Sequence, residues 1–154
     1  MSKKVLMTGG AGFIGHHLAE SLLLETDYDI VCVDRLDCSG TIHRLKEVID
    51  SDNGIRGSWK DRVSFVFHDL KAEINSFTAA QIGNVDYILH LAAGSHVDRS
   101  IDDPMSFVMD NVVGTTNLRG LGKPDVLAGV QPFRGSTMCE CSVSTLGLAP
   151  GCRV

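Results

Sequence analysis

Three glycines, Gly9, Gly12 and Gly15, are spaced Gly-x-x-Gly-x-x-Gly between the apolar run Val5-Leu6-Met7 and apolar positions Ile14, Leu18 and Leu22 at helical intervals. In a strand-turn-helix setting that spacing has three uses. One glycine makes the tight turn, one lets backbone N–H groups approach a pyrophosphate, and one lets helix and strand pack closely. The start of the helix adds unpaired N–H donors and about half a positive charge, which favours phosphate. A second acid-bearing position fits the same chemistry: Asp34 closes the run Ile30-Val31-Cys32-Val33, 19 residues after Gly15. A carboxylate there can accept hydrogen bonds from an adenosine ribose. It would repel a 2′-phosphate, which points to NAD over NADP, whereas the adjacent Arg35 is the residue type that accommodates the extra phosphate. NAD is the cofactor expected.

These residues need a scaffold, and the apolar pattern supplies one. Lys4 to Thr8, Ile30 to Asp34, Val63 to Phe67 and Tyr87 to Leu91 read as buried strands. Ile42, Leu45, Val48 and Ile49 give a second helix, and Met105, Val108 and Val112 give one apolar face of another running to about Leu118. Ser51 to Lys60 reads as a surface loop. Strands alternating with helices, each strand a near-continuous apolar run, predict a doubly wound α/β fold with a parallel sheet covered on both faces.

With these motifs in hand, Thr8-Gly9-Gly10-Ala11-Gly12-Phe13-Ile14-Gly15 resembles the extended short-chain dehydrogenase/reductases, the NAD-dependent epimerases and dehydratases of nucleotide sugars. Leu89-His90-Leu91-Ala92-Ala93-Gly94-Ser95-His96-Val97-Asp98-Arg99-Ser100-Ile101 and Asn111-Val112-Val113-Gly114-Thr115 are similar to the corresponding segments of the dTDP-glucose 4,6-dehydratases within that family. The resemblance covers about residues 3–118 and implies a Rossmann-type sheet. It also implies that Phe13 and Ile14 lie beside the pyrophosphate and that Asp34, Arg35, Leu36 and Asp37 surround the adenosine ribose. Asp69 and Leu70 would meet the adenine, and Leu91, Ala92 and Ala93 would pass under the cofactor. Ser95 would reach the sugar, with His96 a further candidate for substrate contact. Three positions depart from the pattern: Gly94 stands where the family usually has Glu, Asp110 where it usually has Thr, and Cys38-Ser39 replaces an aromatic-small pair.

The family reaction needs a tyrosine base. Tyrosine titrates at about 10 and requires a cation, supplied by a lysine four residues on, to act near neutrality. Here Tyr28 is followed at that spacing by Cys32, and Tyr87 by Leu91. No catalytic residue is therefore assigned, and the chain by itself is expected to be catalytically incomplete. Two readings stay open: the NAD-binding part of a nucleotide-sugar 4,6-dehydratase or of a related epimerase or decarboxylase, and a non-catalytic dinucleotide-binding or interaction module.

The sequence changes texture near Leu118. Residues 1–118 carry 17 acidic and 10 basic side chains, whereas 119–154 carry two and four, with three of the four prolines and three of the five cysteines. The expected division is an incomplete NAD-binding domain at 1–118 and an aperiodic tail at 119–154, as a shifted reading frame or a truncated gene would leave. The tail is expected to be loosely held, to be cut first by proteases, and not to complete the sheet. Its best strand candidate, Asp125-Val126-Leu127-Ala128-Gly129-Val130, is hemmed in by Pro124 and Pro132. Cys139, Cys141 and Cys152 fit no usual zinc spacing, so no metal is expected.

Composition narrows the partners. A net charge of −5 without a dense Lys/Arg stripe argues against nucleic acid. No run approaches the about 20 apolar residues of a membrane span, and the first apolar run is too short for a secretory signal. Five cysteines, an odd number, suit a reducing compartment. A cytoplasmic protein is expected, with a nucleotide sugar as the substrate of full-length relatives and a second copy of the chain as a candidate partner.

Overall fold

The computed structural model describes residues 2–119 and 121, apart from 53, 55 and 56, together with the backbone of 127–128. The apolar runs form strands β1 (Lys4–Thr8), β2 (Asp29–Asp34), β3 (Val63–Phe67) and β4 (Tyr87–His90). Alternate residues of each strand point to opposite faces, and both faces are covered. Val5, Met7, Ile30, Cys32 and Leu89 join a cluster with Ala19, Leu22 and Leu23. Leu6, Val31, Val33 and Ile88 join a second cluster with Ile82 and Leu118. Burial on both sides is why β1, β2 and β4 read as continuous apolar runs rather than alternating ones, whereas β3, at the edge, buries Val66 and leaves Ser64 and Phe67 exposed.

Helices α1 (Phe13–Glu25), α2 (Ile42–Asp50), α3 (Trp59–Arg62) and α4 (Ser76–Ile82) connect the first four strands. α2 starts where the Thr41 hydroxyl accepts from the His43 N–H, and α4 where the Asn75 side chain accepts from the Thr78 N–H. After β4 come α5 (Val97–Asp102), α6 (Pro104–Val108), one π-helical turn (Met109–Val113) and α7 (Gly114–Arg119). Backbone angles remain helical at Val108 and at Gly114, so α6, the π turn and α7 form one continuous rod. Within it the Gly114 N–H reaches back to the Met109 carbonyl, the five-residue step of a π turn.

With Leu127–Ala128 as β5, all strand pairs are parallel, in the order β3-β2-β1-β4-β5. The chain winds outward from β1 to β3, then returns to place β4 on the other side of β1. That reversal opens a crevice beyond the carboxyl ends of β1 and β4, the usual ligand position in open α/β sheets.

Several expectations are corrected. β5 is Leu127–Ala128, which pairs with Ile88 and Leu89 of β4, so the tail does add to the sheet through its best candidate segment. Leu121 also packs against the second cluster. The rest of the tail, including its three cysteines and the expected early protease sites, lies outside the described residues. Ile14 is exposed rather than part of the buried stripe of α1, which is Gly15, Ala19, Leu22 and Leu23. The expected surface loop Ser51 to Lys60 runs into α3, whose first residue, Trp59, is buried. Met105, Val108 and Val112 do form an apolar face, but it is open: Met105 is 65% exposed, and the rod is anchored instead by Gly114 and Leu118.

Among the described residues no helix is long and apolar enough to cross a membrane.

Candidate functional site

The crevice is a cleft of about 440 Å³ at the carboxyl ends of the strands. Its floor begins with the glycine turn. Gly9 has φ +71, a left-handed conformation, and a methyl group there would sit 2.8 Å from the Ala92 nitrogen. The β1 turn and the segment after β4 thus touch backbone to backbone. Gly15 lies under the turn, where a methyl group would meet the Gly10 Cα at 2.7 Å. Gly12 is different. It is the N-cap of α1 in extended conformation (φ −76), it lines the cleft, and a methyl group there would meet just one protein atom within 4 Å, the Gly9 oxygen at 3.1 Å. No side chain caps α1, so the N–H groups of its first turn have no acceptor within the helix.

Asp34 ends β2 and faces the same cleft. Its Oδ2 accepts from the Ala11 N–H at 3.1 Å and its Oδ1 from the Leu36 N–H at 2.8 Å. These bonds hold the carboxylate beside the glycine turn with lone pairs to spare. The second of them also fixes Leu36 at φ +54, a conformation that costs a non-glycine residue about 1–2 kcal/mol.

Beyond β4, the loop from Leu91 to His96 is tied down from beneath. The Ala92 N–H donates to the Thr8 hydroxyl oxygen at 3.2 Å, and that hydroxyl lies 2.6 Å from His90 Nδ1. Because the Leu91 N–H also donates to the Thr8 oxygen at 3.2 Å, both of its lone pairs are taken and its hydrogen is directed to Nδ1. The ring proton therefore resides on Nε2, which donates to the Thr115 hydroxyl at 2.9 Å, and Thr115 donates to the Asn111 carbonyl at 2.6 Å. The Asn111 side chain closes the frame on Gly94, accepting from its N–H at 2.7 Å and donating to its carbonyl at 3.1 Å. One chain of hydrogen bonds thus runs from β1 through β4 to the π turn and back to the loop.

His90 is 4% exposed, and burial holds its imidazole below the usual histidine range. The sign for stability follows. Above about pH 6.5 both folded and unfolded chains keep this ring neutral; as pH falls, the unfolded chain takes up a proton that the folded one resists. Stability is expected to decline as pH drops through 6 toward 5. Urea titrations at pH 8 and pH 5 measure this, and His90→Gln should show a smaller difference between the two. An equal pH dependence in the variant would remove His90 as its source.

A charged cluster forms the outer wall. Arg35 donates to Asp37 through Nε and Nη2 at 2.9 and 2.8 Å, and to Asp110 through Nη1 and Nη2 at 2.6 and 3.0 Å. Lys71 lies 3.5 Å from Asp69 and 3.7 Å from Asp110. Burial alone would raise the Asp37 carboxyl, but the Ser39 N–H and the Arg35 guanidinium outweigh it and hold the group below its usual range. Cys32, inside the sheet, is pushed up to about 12, first by burial and then by Asp34, and is a packing residue rather than a nucleophile.

Of the residues picked out from the sequence, Gly9, Gly12, Asp34, Arg35, Asp37, Asp69, Leu70, Leu91, Ala92, Ala93, Ser95 and His96 all line the one cleft. Four do not. Gly15 is buried under the turn, Leu36 contributes through its backbone, and the Phe13 and Ile14 side chains point to solvent, which leaves their N–H groups as what they bring to the cleft edge. Asp110 and Asn111 escaped sequence reasoning as contributors to the wall, although Asp110 stood out as a departure from the family pattern. Gly94, a second departure, is its neighbour: a methyl group on Gly94 would lie 3.6 Å from Asp110 Oδ2. The first atoms it would meet are ring carbons of Phe107, at 3.0 and 3.1 Å.

A parallel sheet in this order, with a glycine turn after β1 and a carboxylate at the end of β2, defines a Rossmann-type α/β protein. Residues 6–123 match the family model described as GDP-mannose 4,6 dehydratase, and the chain belongs to that family. It is 40% identical over 113 residues to a dTDP-glucose 4,6-dehydratase of Escherichia coli, an alignment covering 73% of this chain and 28% of the relative. The structure is similar to that of DesIV, a dTDP-glucose 4,6-dehydratase from Streptomyces venezuelae solved with NAD bound, with a TM-score of 0.63, 34% identity, and coverage of 77% of this chain and 35% of that one. It is also similar to a UDP-glucose 4-epimerase from Thermus thermophilus in complex with NAD, with a TM-score of 0.60, 29% identity, and coverage of 77% and 33%. The chain therefore spans about a third of the length of the relatives it matches.

Proposed function

We propose that this chain is the NAD-binding part of a nucleotide-sugar 4,6-dehydratase of the dTDP-glucose type. The observation that carries the reading is Gly12. The protein's own packing sets a single tight contact against a side chain there, the Gly9 oxygen 3.1 Å from a Cβ, and the position is glycine at the uncapped start of a helix that opens on the cleft. A pyrophosphate is the group that needs such an opening.

In this reading Gly9, Gly12 and the first-turn N–H groups of Phe13, Ile14 and Gly15 hold the pyrophosphate. Asp34 accepts from the adenosine ribose, with Arg35, Leu36 and Asp37 around it, and Asp69 and Leu70 border the adenine. Leu91, Ala92 and Ala93 form the floor under the nicotinamide, held at fixed height by the Thr8–His90 frame. Ser95 and His96 face the sugar of a nucleotide-sugar substrate. NAD, when bound, supplies a hydride acceptor. The proton of the sugar hydroxyl needs a Tyr-x-x-x-Lys pair, which these 154 residues do not contain. The cofactor unit is taken as residues 1–118, with Leu127–Ala128 extending its sheet. A non-catalytic dinucleotide-binding module is the second reading, favoured by that missing pair.

Calorimetric titration with NAD is the test. Asp34→Ala should lose about 1.5 to 3 kcal/mol of binding, the worth of one hydrogen bond to a charged group. Unchanged affinity would take Asp34 off the ribose. Supplying the whole remaining C-terminal part of a relative and assaying dTDP-glucose for its 4-keto-6-deoxy product separates the two readings, since a module with no catalytic role gains no activity.

A further inference from the structure

Arg35 is the one feature of the proposed cofactor site that argues for the wrong cofactor. An arginine beside the ribose carboxylate is how related sites accommodate a 2′-phosphate. What decides the matter is whether its guanidinium is available, and in this fold it is not. The edge formed by Nε and Nη2 is taken by Asp37, and the edge formed by Nη1 and Nη2 by Asp110, both through charge-assisted bonds of 3.0 Å or less. Asp69 stands 3.8 Å from Nη1 on the remaining side. Four of the guanidinium's N–H groups are thereby engaged, out of the five such a group carries. A phosphate is recognised through just those paired edges.

The two clasping carboxylates differ in origin. Asp37 is two residues from Arg35 and belongs to the same turn. Asp110 comes from the π turn, 75 residues away, and its side chain is 16% exposed. The wider π turn presents Asp110 toward Arg35 and Asn111 toward Gly94 from consecutive positions. We propose that Asp110 is the specificity-determining residue of this site: by clasping Arg35 it withdraws the guanidinium next to the ribose carboxylate from a 2′-phosphate and so makes the site select NAD over NADP. A 2′-phosphate, with a charge of about −1.5 to −2 at neutral pH, would have to break the Arg35–Asp110 pair and then sit among Asp34, Asp37 and Asp110. NAD presents a ribose hydroxyl there and disturbs none of them. The inference rests on the dinucleotide reading of the cleft.

The test titrates NAD and NADP separately into the full 154-residue chain and into Asp110→Ala, Asp110→Asn and the double variant Asp110→Ala/Arg35→Ala. The wild type should bind NAD and discriminate strongly against NADP. In Asp110→Ala the NADP-to-NAD affinity ratio should rise about tenfold or more, the scale of one hydrogen bond to a charged group regained. Asp110→Asn keeps the shape of the side chain while removing its charge, and should move the ratio in the same direction. The gain should vanish in the double variant, because it requires the freed guanidinium. An unchanged far-ultraviolet circular dichroism spectrum and urea unfolding midpoint in each variant report an intact fold. An unchanged ratio in both single variants, or a gain that survives loss of Arg35, overturns the role of Asp110 while leaving the NAD site standing. A wild type that binds neither dinucleotide overturns the site and this inference together.

Discussion

Gly12→Val is expected to abolish NAD binding without unfolding the protein. The backbone at position 12 is extended, φ −76 and ψ 176, which a β-branched residue adopts without strain. The contact its Cβ would make, 3.1 Å from the Gly9 oxygen, asks for a shift of a few tenths of an ångström. Loss of glycine also lowers the entropy of the unfolded chain, which offsets part of that cost. Stability should therefore change by no more than about 1 kcal/mol. Binding is another matter. The isopropyl group would stand between the start of α1 and any phosphate, and losing two hydrogen bonds to a charged group at about 1.5 kcal/mol each lowers affinity at least about 100-fold. Paired measurements decide it: urea unfolding for the fold, calorimetry for NAD. Binding that survives would show that the phosphates lie elsewhere, and a protein that unfolds would show that Gly12 serves the fold.

Gly15→Ala should do the reverse. Helix propensity alone predicts a gain of about 1 kcal/mol, since alanine replaces glycine inside α1. Packing predicts a loss, and packing should win. The new methyl group would fall inside contact with the Gly9 oxygen, 2.7 Å from the Gly10 Cα and 3.0 Å from the Gly9 carbonyl carbon. Every one of these atoms is backbone in the turn that joins β1 to α1, so none can rotate away. Relief requires moving the helix off the sheet, where Ala19, Leu22 and Leu23 are packed at 5% exposure or less. A net loss of about 3 kcal/mol is expected, at the upper end for overpacked cores, and it would be a large share of the about 5–15 kcal/mol typical of a domain. The midpoint of urea unfolding measures it. A variant as stable as the wild type would mean that α1 does not sit against the turn as closely as the structure has it.

The two glycines look alike in the sequence, three residues apart in one motif, and the fold gives them opposite duties. That contrast runs through the whole chain. Spacing and residue type were enough for the first four strands, for α1 and α2, for the helical rod that ends near Leu118, and for the acidic end of β2. Gly9 and Asp34 followed from the same spacing, whereas Asp69 and Leu91 to Ala93 came from the resemblance to the nucleotide-sugar family, and all of them line the cleft. These features are local. A strand buried on both faces has to be a run of apolar residues, and in a parallel sheet each strand delivers the residues that follow it to the same edge. Sequence alone therefore placed most of the site on one side of the sheet.

Relations between distant segments were decided by the tertiary structure. The period of Met105, Val108 and Val112 marked an apolar face correctly but carried no information on whether another part of the chain would cover it, and among the described residues it stays open. Leu127–Ala128 was discounted for its flanking prolines, yet what mattered was the free edge of β4 beside it. His90 read as one more residue of a strand until Thr8 and Thr115, from β1 and α7, fixed its proton. Arg35 carried the sharpest difference. Its neighbour Asp34 and its own charge gave contradictory indications about the cofactor, and no rule of spacing links it to Asp110. Coulomb attraction and bidentate geometry act over a few ångströms in space, so the partner that neutralises a side chain can be any residue the fold brings there, whatever its separation along the chain.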